Sequence, residues 1–179
     1  QWFIKYSDNE LTEKSKEHAK TMNVYPEEYK RSLPGVLEWF QDRACARLGN
    51  WLGTKLPFDG QWTVEPIADS TLYPAYYTIS KYTNNKQLEP EQLTEEFFDF
   101  VFLSKGNAKD IVKSIKAEES LIQQIHDDFN YWYPLDINLG GKEHQTVHFP
   151  VFIMNHVGIL DKKFWPKGIF INHWITGKG

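Results

Sequence analysis

The sequence predicts an α/β domain built on a parallel sheet, and three observations carry that expectation. Strand-like stretches at 1–6, 61–67, 135–139 and 168–175 alternate with helix-prone ones, the order that lays helices against parallel strands. At 135–143 a short apolar strand runs into Gly140 and Gly141 and then a helical pattern, a strand–turn–helix junction of the kind that binds ligands in such sheets. The chain is 41% hydrophobic and 16% aromatic over 179 residues, enough to fill one core and too apolar for a disordered chain.

Taken in order, QWFIKY (1–6) reads as a strand. Residues 10–22 are polar and helix-prone. Pro26, Glu27 and Glu28 open a second helix, since proline and acids suit a first turn, and Leu33, Val36, Leu37 and Phe40 give it an apolar stripe. The glycine- and proline-containing stretch 48–60 reads as a loop, and 61–67 as a strand with Pro66 at its end. Asp69 or Ser70 can cap a helix running to about Tyr82. A polar loop covers 83–90, and 91–103 and about 107–130 read as two helices. A strand near 135–139 precedes the glycine turn. A helix follows from about Glu143 to Val157, and 168–175 forms the last strand. No internal repeat is present.

Composition excludes several functions. A net charge of −4 supplies no global basic field for nucleic acid, so any RNA contact is local or made by other parts of a longer protein. Cys45 is the single cysteine, which rules out an internal disulfide and a four-cysteine zinc site and suits a reducing cytoplasm. No run of about 18 apolar residues is present, so no membrane partner is expected. The amino end lacks the pattern of a signal peptide. Both ends read as cut in mid-element, as in a piece of a longer chain.

The stretch NLGGKEHQTVHF (138–149) concentrates the chemistry. Glycines let a ligand approach the backbone closely, and on a continuous helix His144 and His148 would share a face. Three readings stand side by side. Two histidines at i and i+4 could hold zinc, yet Glu143 precedes both, the His-Glu-x-x-His order is absent and no third ligand is evident, so no metal is assigned. The histidines could be structural, packed in a polar part of the core. Or the stretch could line a small-ligand pocket, with a nucleotide at the glycines and a substrate against the imidazoles. A helix starting near Asp69 would place Ser70 and Tyr73 on one face of such a pocket, although these residues could equally be a cap and boundary aromatics. The tryptophans, Cys45 and the acidic stretch 91–99 read as packing or solvated residues.

Several ordered motifs together resemble one family, the class I leucyl-tRNA synthetases of archaeal and eukaryotic type. QWFIKY resembles the strand that re-enters the catalytic domain after the editing insertion. LGTKLPFD resembles the Gly-Thr-x-Leu-Pro-Trp-Asp loop, with Phe58 in place of the usual Trp. DSTLYPAYYTI, YWYPLDINLGGKEHQTVHF, NHVGIL and FWPKGIFINHW match further segments in order, and 83–125 is the least similar part. The resemblance implies the second half of a Rossmann-like catalytic domain, a single partial domain over 1–179 with a variable helical segment at about 83–130. It implies ATP-binding by Gly140, Gly141 and Glu143, with the carboxylate on the ribose hydroxyls. It implies a leucine pocket of Ile67, Ser70, Tyr73, His144 and His148, with Ile67 where some members use Phe. The implied partners are leucine, ATP with Mg2+, and tRNA(Leu) through the full-length enzyme; the implied location is cytoplasmic. The His-Ile-Gly-His and Lys-Met-Ser-Lys-Ser motifs, which stabilise charge on the transferred nucleotide, do not occur in the chain. No catalytic residue is therefore assigned to it, and alone it is expected not to form leucyl-adenylate. The alternative is a non-catalytic synthetase-like binding module.

Overall fold

A computed structural model describes residues 1–175 and 177 and divides the chain into two compact units. One comprises residues 1–72, 135–159 and 165–179; the other comprises 73–134 and 160–164.

The first unit carries the parallel sheet. Its three strands, β2 (Asn23–Tyr25), β8 (Gly168–Asn172) and β7 (Asn138–Gly141), lie in the order β2-β8-β7, both pairs parallel. The centre of the sheet is GIFIN of β8, whose Ile169 and Ile171 are buried. Gly168 is required there: a Cβ would lie 2.8 Å from the Asp136 carbonyl oxygen and 3.0 Å from that of Asn23. β2 was not expected from the sequence. Three residues between two helices carry too little pattern, and pairing with β8 makes them a strand. The expected first strand shrinks to β1 (Phe3–Ile4), which pairs antiparallel with β3 (Arg43–Ala44) outside the parallel sheet.

Helices α1 (Asn9–Thr21) and α2 (Glu27–Glu38) form where expected. Asp8 caps α1 by accepting from the Leu11 N–H at 3.0 Å, which satisfies one of the free donors of the first turn. The stripe of α2 buries Leu33 and Leu37 completely. Most of the expected loop 48–60 is loop, but its edges and middle carry short strands: β4 (Ala46–Leu48), β5 (Lys55–Leu56) and β6 (Asp59–Val64) make an antiparallel sheet in the order β4-β6-β5. Glycine content concealed these short strands, whose order comes from pairing on β6.

Two of the expected helices are broken beside a proline. The helix expected to start at Asp69 or Ser70 and run to Tyr82 is α3 (Pro66–Ser70) followed by α4 (Tyr73–Asn84). Pro74 cannot donate the N–H that a continuous helix would need. Pro66 therefore opens α3 rather than ending a strand, and the cap is Glu65, not Asp69 or Ser70. The helix expected over 143–157 is a 3-10 turn at Lys142–Gln145 and then α8 (His148–Ile159). Pro150 fits only in the first turn of that helix. Gly140 and Gly141 close strand β7 rather than following it. Residues 149–157 of α8 are all buried, the pattern of a central core helix. Around it pack Tyr6, Met22, Val24, Tyr29, Leu33 and Ile169.

The second unit is helical: α4, α5 (Glu95–Leu103), α6 (Ala108–Ile115) and α7 (Glu119–Trp132). α4, α5 and α6 each pack on α7, burying Ile79, Phe97, Val101, Ile122, Ile125 and Phe129. The single helix expected over 107–130 splits at Lys116, which takes the left-handed conformation (φ 55°) at the end of α6. Asp128 of α7 accepts from the Tyr82 hydroxyl and pairs with Lys81 at 2.5 Å.

Candidate functional site

Five residues of the expected site, Gly140, Gly141, Glu143, His144 and His148, meet at the carboxyl end of β7. Gly140 and Gly141 pair with Ile171 and Asn172 of β8, and the chain then turns through Lys142–Gln145. Carboxyl ends of parallel strands are where open α/β sheets bind ligands. The Glu143 side chain is 61% exposed and curls back over Gly141. A Cβ on Gly141 would lie 2.7 Å from Glu143 Oε2 and nearer still to Oε1. A Cβ on Gly140 would lie 2.7 Å from Phe149 Cζ and 3.1 Å from His144 Cγ. Both glycines thus admit neighbouring side chains of the protein itself.

His144 and His148 do not share one α-helix. His144 belongs to the 3-10 turn and His148 opens α8. Their rings nevertheless meet edge to face, with centroids 5.0 Å apart and planes at 78°, and both rest on buried Phe149. His144 Nδ1 lies 3.2 Å from the Gly141 N–H and 3.4 Å from Glu143 Oε1. The two contacts exclude each other, because Nδ1 accepts from Gly141 only when deprotonated and donates to Glu143 only when protonated. Burial, and then the neighbouring His144, push the pKa of His148 below its ordinary value. The two imidazoles and Phe149 together form one aromatic wall.

Ile67 and Ser70 lie on α3, which packs against α8 in the same unit. Ile67 is half-buried against the core, and Ser70 is half-buried at the end of α3. Tyr73 belongs to the helical unit, where it opens α4, is 45% exposed and contacts Tyr77 edge to face at 5.0 Å. The break at Thr71–Leu72 removes the one-helix relation expected between Ser70 and Tyr73.

Reasoning from the sequence missed the residues that hold the site. The buried Tyr29 hydroxyl donates to the Gln145 carbonyl at 2.9 Å, pinning the end of the 3-10 turn. Asn155 and His156 are the polar members of the buried run 149–157, and that isolation in an apolar helix was the available signal. Among the described residues, no group of three or more His, Cys, Asp or Glu gathers as metal ligands would, and no helix is long and apolar enough to cross a membrane.

No family model matches the chain. Curated relatives do. A leucine–tRNA ligase of Archaeoglobus fulgidus is 40% identical over 179 residues, all of this chain and 19% of the relative. One of Methanocaldococcus jannaschii is 41% identical over the same span, again 19% of the relative. The chain therefore spans about a fifth of the relatives it matches, and the similarity read from its motifs extends across its whole length. Among solved structures, methionyl-tRNA synthetase of Mycobacterium tuberculosis, bound by methionyl-adenylate, superposes with a TM-score of 0.52 at 16% identity. That match covers 96% of this chain and 26% of the other. The fold is that of a class I aminoacyl-tRNA synthetase catalytic domain.

Proposed function

We propose that the chain is the part of a leucine–tRNA ligase that holds the ribose of ATP and the side chain of leucine. The parent reaction joins leucine and ATP into leucyl-adenylate with release of pyrophosphate, then transfers the leucyl group to tRNA(Leu). One observation carries the reading: Gly141, Glu143, His144 and His148 converge at the carboxyl end of a parallel strand.

Glu143 supplies an exposed carboxylate folded back over Gly141 at the end of β7. Accepting from the two ribose hydroxyls would make charge-assisted hydrogen bonds, worth about 1.5–3 kcal/mol. Gly140 and Gly141 keep the strand end low enough for adenosine to approach. His144 and His148 form a wall against the branched aliphatic group of leucine, and a neutral His148 suits that apolar substrate. Ile67 and Ser70 on α3 are assigned to the rest of the pocket. None of these groups moves a proton. Mg2+ accompanies the ATP phosphates. Gripping those phosphates falls to the His-Ile-Gly-His and Lys-Met-Ser-Lys-Ser motifs, which lie outside these residues. The chain alone therefore holds substrates without the groups that stabilise the transferring charge. A cytoplasmic location follows from the same reading.

Glu143→Gln in the full-length enzyme keeps the shape of the side chain and removes its charge. ATP affinity falls by about tenfold, and the preference for ATP over 2′-deoxy-ATP shrinks. An unchanged ratio, measured by calorimetry, leaves Glu143 as a turn residue only.

A further inference from the structure

A buried relay of side-chain hydrogen bonds joins the helix of His148 to the segment bearing Ile67 and Ser70. The Tyr6 hydroxyl donates to Asn155 Oδ1 at 2.8 Å. Asn155 Nδ2 donates to Thr71 Oγ1 at 2.8 Å, and the Thr71 hydroxyl donates onward to the Ile67 carbonyl at 3.2 Å. All three side chains are buried: Tyr6 is 2%, Asn155 6% and Thr71 1% exposed. The directions are consistent. Burial raises the Tyr6 pKa to about 12, so the phenol stays a donor, and Asn155 offers its oxygen to one partner and its amide hydrogens to the other.

The segment that receives this relay is short, and apart from Ile67 against the core it is held at its two ends. α3 has five residues and buries none of them, and so short a helix is not stable by itself. Its amino end is capped by Glu65, which accepts from the Ile67 N–H at 2.8 Å and pairs with Arg47 at 3.0 Å. Its carboxyl end is fixed by Thr71, and through it by Asn155. Asn155 stands seven residues after His148 on α8, two turns along the same face and about 10 Å away. One rigid core helix thus carries the histidine wall at its start and clamps the Ile67–Ser70 wall two turns later.

We propose that Asn155, acting through Thr71, is a positioning residue that sets the spacing between the two walls of the leucine pocket and so its selectivity for leucine. The proposal rests on the assignment of Ile67, Ser70 and His148 to that pocket. Polar groups deep in an apolar core carry a cost unless fully paired, and here the pairing is spent on a single short turn.

The test uses the full-length enzyme and leucine-dependent exchange of pyrophosphate into ATP. Thr71→Val keeps the volume and removes the hydroxyl, whereas Thr71→Ser keeps the hydroxyl. The expected result is a KM for leucine raised about five- to tenfold in Thr71→Val, with the KM for ATP changed less than about twofold. Discrimination against isoleucine falls in parallel, and Thr71→Ser stays near the parent. Equal rises for leucine and ATP, or none, would overturn the proposal, because a merely structural role does not separate the substrates. If Thr71→Val fails to fold, Asn155→Leu is close in volume and removes every hydrogen bond to Thr71; the same leucine-selective loss is expected, and its absence is equally decisive. His148→Ala runs alongside. A leucine effect there but none in the relay variants defeats the relay and leaves the pocket standing. No leucine effect at His148 defeats the pocket, and the relay proposal with it.

Discussion

Gly140→Ala should damage the fold, and Gly141→Ala should not. Neither glycine has a positive φ, so the cost of a methyl group is steric rather than conformational. At position 140 the new Cβ would sit 2.7 Å from Phe149 Cζ, about 1 Å inside ordinary carbon–carbon contact. Phe149 is fully buried in the core and contacts Tyr29, His144 and His148, so it has nowhere to retreat. Overpacking of this kind costs about 1–3 kcal/mol, and for a chain of this length lowers Tm by a few to about ten degrees. At position 141 the clash is with the far end of Glu143, which can swing into solvent; the stability change stays within about 0.5 kcal/mol. Urea and thermal unfolding of the 179-residue chain, followed by circular dichroism, measures both. Equal destabilisation by the two variants, or a neutral Gly140→Ala, would refute the packing argument.

His148→Ala in the full-length enzyme should enlarge the pocket and weaken leucine by about tenfold or more while leaving ATP nearly unchanged; equal losses in steady-state kinetics contradict the assignment. Acid should destabilise the chain through His156. It is completely buried and bonded through Nδ1 to the Phe152 carbonyl at 2.7 Å, and burial lowers its pKa to about 4. A group depressed below its unfolded value near 6.5 resists protonation when folded, so its contribution is complete above that pH and is lost as pH falls towards 4. At pH 5 the loss relative to pH 7.5 is about 2 kcal/mol, and His156→Gln should flatten the pH dependence of urea unfolding by that amount; an unaltered slope would rule the group out.

The helices α1 and α2 were legible because their signals are local: the polar, helix-prone run 10–22 and the Leu33–Leu37 stripe after Pro26. β2 was not, because three residues become a strand only by pairing with β8, well over a hundred positions away. The breaks before α4 and α8 had a visible signal in Pro74 and Pro150, which apolar periodicity outweighed. The turn expected at Gly140–Gly141 falls just after them instead, because both glycines pair with β8 as the end of β7 and the chain turns at Lys142–Gln145. The adjacency of His144 and His148 was right for a different reason, since a 3-10 turn and a helix start bring the rings together. The relay through Asn155 and Thr71 joins positions 84 apart, and no spacing rule connects them.

The central claim is tested most directly by exchange of labelled pyrophosphate into ATP, catalysed by the full-length protein and measured against each of the twenty standard amino acids in turn. The account predicts exchange that depends on leucine and falls by about 10–200-fold for aliphatic relatives differing by one methylene, with the 179-residue chain alone at background. A full-length protein with no amino-acid-dependent exchange would support a non-catalytic binding module, and exchange driven by a different amino acid would contradict the pocket built from Ile67, Ser70, His144 and His148.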